Sequence, residues 1–344
     1  MLTVHTEDHR LHHGKAELID GILQPCFEMP SRIDMILARV KAVALGPIAP
    51  PAEFGMAPLA RVHGARYLHF LEHAWSQWAA LGRAHDALPL VWPVRDLRAD
   101  REPEHIDGKM GYFSMDAGVP ITAGTWAAVR ASANVALTGA QRLNAGDRSV
   151  FALCRPPGHH AAADYMGGYC YLNNAAIAAR WLQDAGAARV AVLDVDYHHG
   201  NGTQSMFYRD PAMLFASIHG DPRAEYPYFS GFADERGEGP GLGLNHNYPL
   251  PRGAAWGSGY AEALNDACLR IQAFSPDVLV VSLGVDTFEH DPISAFKLVN
   301  ADYLRIGEAI GRLARPTLFV MEGGYAVDDI GVNAVNVLQG FEAV

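Results

Sequence analysis

Five short runs of apolar and β-branched residues punctuate the chain: "SVFALC" (149–154), "RVAVLDVDY" (189–197), "MLFASIH" (213–219), "DVLVVSLGVD" (277–286) and "TLFVMEGGY" (317–325). They are apolar almost without alternation, which is the pattern of strands buried on both faces of a parallel sheet. Between them lie segments with helical spacing: "TWAAVRASANVALTGAQRL" (125–143), "NNAAIAARWLQDAG" (173–186), "GSGYAEALNDACLRIQAF" (257–274) and "ADYLRIGEAIGRLA" (301–314). The alternation predicts an α/β fold, a three-layer α/β/α sandwich with helices on both faces of a parallel sheet. Residues 83–120 break the rhythm with Pro, Gly, charge and aromatic residues, and are expected to form a long irregular excursion inside a single domain covering 1–344. Loops of that length in compact domains usually serve as lids or interface segments.

Composition narrows the function. With 344 residues and 49% apolar content the chain can bury a large core. Cys26, Cys154, Cys170 and Cys268 are scattered, with no CxxC spacing, so reduced thiols and a cytoplasmic protein are expected. No apolar stretch approaches the ~20 residues needed to span a bilayer, so no membrane role is expected. A formal charge of −11 opposes nucleic-acid binding and favours a small cationic partner. Of the 16 histidines, His5, His9, His12 and His13 crowd the N-terminus without metal-ligand spacing and read as surface residues.

The chemistry gathers where the apolar runs turn polar. In an extended strand Asp194, Asp196 and His198 of "LDVDYHHGN" share one face. Burying three ionisable groups together is costly unless a cation compensates them. Asp286 follows another apolar run, and ligands of open parallel sheets gather beyond the carboxyl ends of strands. Asp196, His198 and Asp286 would give a divalent metal two carboxylates and an imidazole, with room left for water and substrate, as in catalytic zinc sites. The alternative is that each acid caps the helix after its strand. "RPPGHH" carries His159 and His160 toward the same rim, where paired imidazoles can divide proton transfers. Asp194 and Asn201 are the candidates for fixing their tautomers. At the end of "TLFVMEGGY", Gly323 and Gly324 permit close backbone approach, and the Tyr325 hydroxyl could hold an oxyanion or pack in the core.

Taken in order, "RPPGHH", "GGYCYLNNAA", "LDVDYHHGNGTQ", "FASIHGDP", "VVSLGVDTFEHDP" and "VMEGGY" resemble the zinc-dependent histone deacetylase superfamily, and within it the bacterial acetylpolyamine amidohydrolases. The resemblance implies an arginase–deacetylase fold with an eight-stranded parallel sheet. It implies Zn²⁺ on Asp196, His198 and Asp286, and a structural K⁺ near Asp194, Asp196, His198 and Ser217. His159 and His160 would be the paired histidines and Tyr325 the hydroxyl that polarises the amide carbonyl. Where eukaryotic members usually have Asp, this chain has Asn201, a feature the resembled amidohydrolases share. A neutral amide cannot stabilise imidazolium as a carboxylate does, so His160 is expected to be the more readily neutral of the pair.

The same resemblance implies a small, cationic, acetylated amine as substrate. Glu17 and Asp107 match positions where these enzymes carry acids near the channel mouth, although either could simply solvate a loop. Tyr169 and Tyr226 are expected as aromatic walls, with Gly168 and Gly323 allowing close approach to the substrate. The excursion at 83–120 is expected to build a homodimer that narrows the channel. Three rivals remain: a deacetylase of acetyl-lysine peptides, an arginase-like binuclear manganese hydrolase, and a non-catalytic relative. Gly200 stands where the manganese chemistry needs a carboxylate, and an intact proton-transfer set argues against a sensor.

Overall fold

A computed structural model describes residues 1–19 and 21–344. Its strands are β1 (Leu2–Val4), β2 (Glu17–Ile19), β3 (Ile22–Gln24), β4 (Ile48–Ala49), β5 (Ser149–Ala152), β6 (Val190–Asp194), β7 (Met213–Gly220), β8 (Asn245–Leu250), β9 (Val278–Leu283) and β10 (Thr317–Met321). The helices are α1 (Ser31–Ala42), α2 (Ala65–Ala79), α3 (Ile106–Tyr112), α4 (Thr125–Asn144), α5 (Asn174–Asp184), α6 (Asn201–Phe207), α7 (Ala261–Phe274), α8 (Asn300–Gly311) and α9 (Val327–Glu342). Eight strands form one sheet in the order β4-β1-β5-β10-β9-β6-β7-β8, and every pairing in it is parallel. The expected eight-stranded α/β/α sandwich is what the chain adopts.

The pleat divides the core in two. Val150, Ala152, Val192, Val280, Leu318 and Val320 pack with α4 and α5 on one face. Phe151, Leu193, Val281 and Phe319 pack with α1, α7, α8 and α9 on the other. Apolar residues are therefore needed at consecutive positions, which is why these strands lack polar alternation.

The ladders stop earlier than the apolar runs suggest. β6 ends at Asp194, β9 at Leu283 and β10 at Met321, so Asp196, His198, Asp286 and Tyr325 all lie on loops just beyond strand ends. Their convergence comes from loop turns rather than from a shared pleat face.

The excursion is irregular apart from α3, and its inner side is packed. Ile106, Met110, Phe113, Val119 and Ile121 join Tyr67, Phe70 and Leu71 of α2 in a third cluster, and paired backbone bonds between Ala87 and Ile121 close its base. Its outer side leaves Leu90, Val91, Val94 and Leu97 exposed. Among the described residues, no helix is long and apolar enough to cross a membrane.

Candidate active site

The strand order sets β5, β10, β9, β6 and β7 side by side, and their carboxyl-end loops supply the polar cluster. After β6 the chain descends in two short turns: Asp194 Oδ1 accepts the Asp196 N–H at 3.1 Å, and Asp196 Oδ1 accepts the His198 N–H at 2.9 Å. Asp286 Oδ1 accepts the Tyr197 N–H at 2.7 Å and ties the β9 loop to the β6 loop. His198 Nδ1 then lies 3.0 Å from Asp286 Oδ2 and 3.4 Å from Asp196 Oδ1. One donor atom each from Asp196, His198 and Asp286 falls within a 4.8 Å cluster.

This set fits a divalent cation. All three residues are buried, and burial together with the like charge of Asp196 pushes the Asp286 carboxyl up to about 7. Burial opposes a charged His198, yet bonds to Asp196 and Asp286 raise its imidazole to about 10. Three buried carboxylates, Asp194, Asp196 and Asp286, against the two imidazoles of His159 and His198 are poorly compensated, and a metal ion relieves the repulsion. Two oxygens and one nitrogen leave positions open for water and substrate. Gly323 makes the approach possible: its N–H donates to Asp196 Oδ2 at 2.8 Å, and a Cβ there would lie 2.6 Å from Asp196 Oδ2 and 2.7 Å from Asp286 Oδ2.

Beside the cluster His159 and His160 stand with ring centroids 4.0 Å apart. His159 Nδ1 is 3.0 Å from Asp194 Oδ2, and His160 Nδ1 is 2.7 Å from Asn201 Oδ1. Burial disfavours charge on both. For His159 the carboxylates of Asp196 and Asp194 overcome it and raise the imidazole to about 10. For His160 burial prevails, reinforced by His159 and His198, and its pKa falls well below the ordinary value.

Tyr325 is buried behind β10, with its N–H donating to Asp291 Oδ2 at 2.7 Å and its ring beneath the Arg32 guanidinium. Tyr169 meets it edge-on at 5.6 Å, and Tyr226 meets His160 edge-on at 5.0 Å. Gly168, at φ +49°, runs so close that a Cβ would sit 2.4 Å from His160 Cδ2. Glu17 is fully buried rather than exposed at a mouth: it accepts the Phe27 N–H at 2.7 Å and bonds Tyr169, and burial raises its pKa. Ser217 is in register with Asp194 across β6 and β7, its hydroxyl 2.8 Å from His219 Nδ1.

Asp107 lies on α3, whose buried positions are Ile106, Met110 and Gly111, and its half-exposed carboxylate pairs with Arg83, whose guanidinium lies over Trp78. The acid of the excursion that lines the site is Asp116, whose carboxylate accepts the Tyr226 hydroxyl and the N–H groups of Gly118 (2.7 Å) and Gly168 (3.0 Å). It borders a cavity of about 940 Å³ together with Tyr165, Asn201 and Tyr226. The turn it makes with Gly118 in "MDAGVP" was its one sequence signal.

Glu322 has a role that no local sequence pattern marks. It accepts the Gly158 N–H at 2.6 Å and the His159 N–H at 3.2 Å, fastening the β5 loop to β10. A buried triad then anchors the β10 loop. Arg32 donates to the carbonyls of Glu322 and Gly324, each at 2.6 Å, while Glu28 Oε1 accepts from both Arg32 and Arg155 at 2.8 Å. Removing the acid strands two buried guanidinium groups, so Glu28→Ala is expected to cost about 3–5 kcal/mol, read from the urea-unfolding midpoint.

The histone deacetylase domain model matches residues 26–341, and the chain belongs to the histone deacetylase family. It is 63% identical over 344 residues to acetylpolyamine amidohydrolase 2 of Pseudomonas aeruginosa, covering 100% of this chain and 99% of that protein. Against the acetylpolyamine amidohydrolase of Mycoplana ramosa the identity is 48% over 340 residues, covering 99% of each. The crystal structure of acetylpolyamine aminohydrolase from Burkholderia pseudomallei superposes with a TM-score of 0.94 at 40% identity, covering 100% of this chain and 99% of that one.

Proposed function

We propose that this chain is a metal-dependent amidohydrolase that removes the acetyl group from acetylated polyamines and diamines, releasing acetate and a free amine. The observation that carries the reading is the convergence of a buried two-carboxylate, one-imidazole cluster with a hydrogen-bonded histidine pair at one sheet rim. Full-length identity to proteins named acetylpolyamine amidohydrolases supports the substrate class.

Asp196, His198 and Asp286 would hold zinc, which supplies Lewis acidity toward the acetyl carbonyl and lowers the pKa of water. His160 donates Nδ1–H to Asn201 Oδ1, which leaves Nε2 free to accept a proton from water. His159, held charged by Asp194, is the proton source for the departing nitrogen. The Tyr325 hydroxyl donates to the oxygen that becomes anionic as the carbonyl carbon turns tetrahedral. Asp194 and Ser217, adjacent in register, offer oxygens for a structural K⁺, with Asp196 and His198 completing its surroundings.

Tyr169 and Tyr226 flank the acetyl-bearing chain, Glu17 positions Tyr169, and Asp116 receives the distal ammonium. Asp107, paired with Arg83 at the surface, is the weaker candidate for this role. We read 1–344 as one catalytic domain, and the exposed apolar residues of the excursion as the seam of a homodimer. Four cysteines without a disulfide suit the cytoplasm.

The test is the kcat/KM ratio of N-acetylputrescine to an acetyl-lysine peptide on one zinc-reconstituted preparation. The ratio should lie well above one, and Asp116→Asn should lower kcat/KM for the diamine about 10–100-fold, the loss of one charge-assisted hydrogen bond. A ratio at or below one would sink the polyamine assignment and leave amide hydrolysis standing.

A further inference from the structure

Of the four N-terminal histidines, His5, His9 and His12 are buried and His13 is exposed. After β1 the chain enters a short 3-10 turn, Glu7–Leu11, and His5, Glu7 and His9 fall at alternate positions. His5 and His9 are 9% and 2% exposed, and one donor atom from each of the three residues lies within a 4.8 Å cluster. His5 Nε2 is 3.2 Å from Glu7 Oε1. Both ring nitrogens of His9 and Nδ1 of His5 are buried without a hydrogen-bond partner. A buried polar group without a partner forfeits its hydration with nothing in return, so packing alone gives no account of an imidazole here.

The surroundings direct the acid toward these rings. Arg10 Nε donates to Glu7 Oε2 at 2.7 Å and its guanidinium also pairs with Asp34, which leaves Glu7 Oε1 for the histidines. Arg155, the other cation packed against this turn, is paired with Glu28 and donates to the His9 and His12 carbonyls. Both positive charges near the cluster are thus matched by acids.

We propose that His5, Glu7 and His9 bind a divalent transition-metal ion of the zinc class, at a site separate from Asp196, His198 and Asp286. Two imidazoles and one carboxylate form a borderline N/O donor set, and the exposed Glu7 side chain gives an entry path and leaves the remaining coordination to water. The bound ion cross-links the end of β1 to the turn whose carbonyls Arg155 grips.

The experiment counts zinc in intact protein equilibrated with free zinc buffered in the micromolar range. Wild type should hold two ions per subunit. Glu7→Ala, at an exposed position that tolerates truncation, should weaken the second ion by about tenfold or more, and His5→Phe/Glu7→Ala should hold one ion while retaining deacetylase turnover. Asp286→Ala should hold one ion without turnover. A single ion in wild type, or an unchanged count in His5→Phe/Glu7→Ala, would overturn the proposal and assign the unpartnered nitrogens to bridging water.

Discussion

Gly323→Ala is expected to abolish zinc retention and to lower kcat/KM for N-acetylputrescine by about a hundredfold or more, although it adds only a methyl group. The new carbon would lie 2.6 Å and 2.7 Å from carboxylate oxygens of Asp196 and Asp286, closer than real Cβ contacts allow. Neither acid can retreat freely. Asp196 is held by the N–H groups of His198 and Gly323, and Asp286 by the N–H of Tyr197 and the imidazole of His198. The methyl must therefore displace the β10 loop, which also carries Tyr325, and a shift of about 1 Å at a reacting centre costs on the order of 10² in rate. Zinc content, kcat/KM and the thermal midpoint measure the effect together. Gly55→Ala is the control, since a Cβ there meets nothing within 4 Å and all three readouts should stay at wild type. Full zinc and a wild-type rate in Gly323→Ala would show that the loop gives way and that the close approach is incidental.

How far the chain could be read in advance follows from where the physical signal is local. The central strands announced themselves because both faces are buried, and the polar residues after them were visible because they interrupt apolar runs. β1, β4 and β8 were not: β1 and β4 span three and two residues, and "NHNYPL" of β8 is a polar strand at the sheet edge. The strand pattern placed Asp196 and His198 at the right rim for a partly wrong reason, since the ladder ends at Asp194 and successive side-chain turns bring them round. Glu28 and Glu322 look like ordinary acids in sequence. What sets them apart is contact with Arg155 and Gly158, 127 and 164 residues away, which no local pattern encodes. Asp107 drew attention through its match to an acid of the resembled enzymes, whereas Asp116 reaches the site through a turn in a segment without periodicity. His5 and His9 carry no recognised metal-ligand spacing, and it is the entry of the chain from β1 into the 3-10 turn that brings them together.

The paired histidines carry the other large effect. His160→Ala is expected to lower kcat by about 10²–10⁴, the range for loss of a general base, while zinc content and KM stay near wild type. The asymmetry of the pair lies in the second partners. Asp194 gives His159 a carboxylate, whereas Asn201 gives His160 a neutral oxygen and uses its own amide to donate to the His160 carbonyl, so its orientation is fixed. His160 thus presents an unprotonated Nε2 beside a charged neighbour. Its pKa is pushed well below 6.5 by burial and by the positive charge of His159 and His198, and a cation on the Asp196–His198–Asp286 cluster acts in the same direction. A base with a depressed pKa stays unprotonated as pH falls through 6.5, so the acid limb of kcat/KM should lie below that value. Asn201→Asp supplies a carboxylate that stabilises the imidazolium and should move the limb upward. A wild-type acid limb at or above 6.5, or a His160→Ala rate within tenfold of wild type, would transfer the base role from His160 to His159.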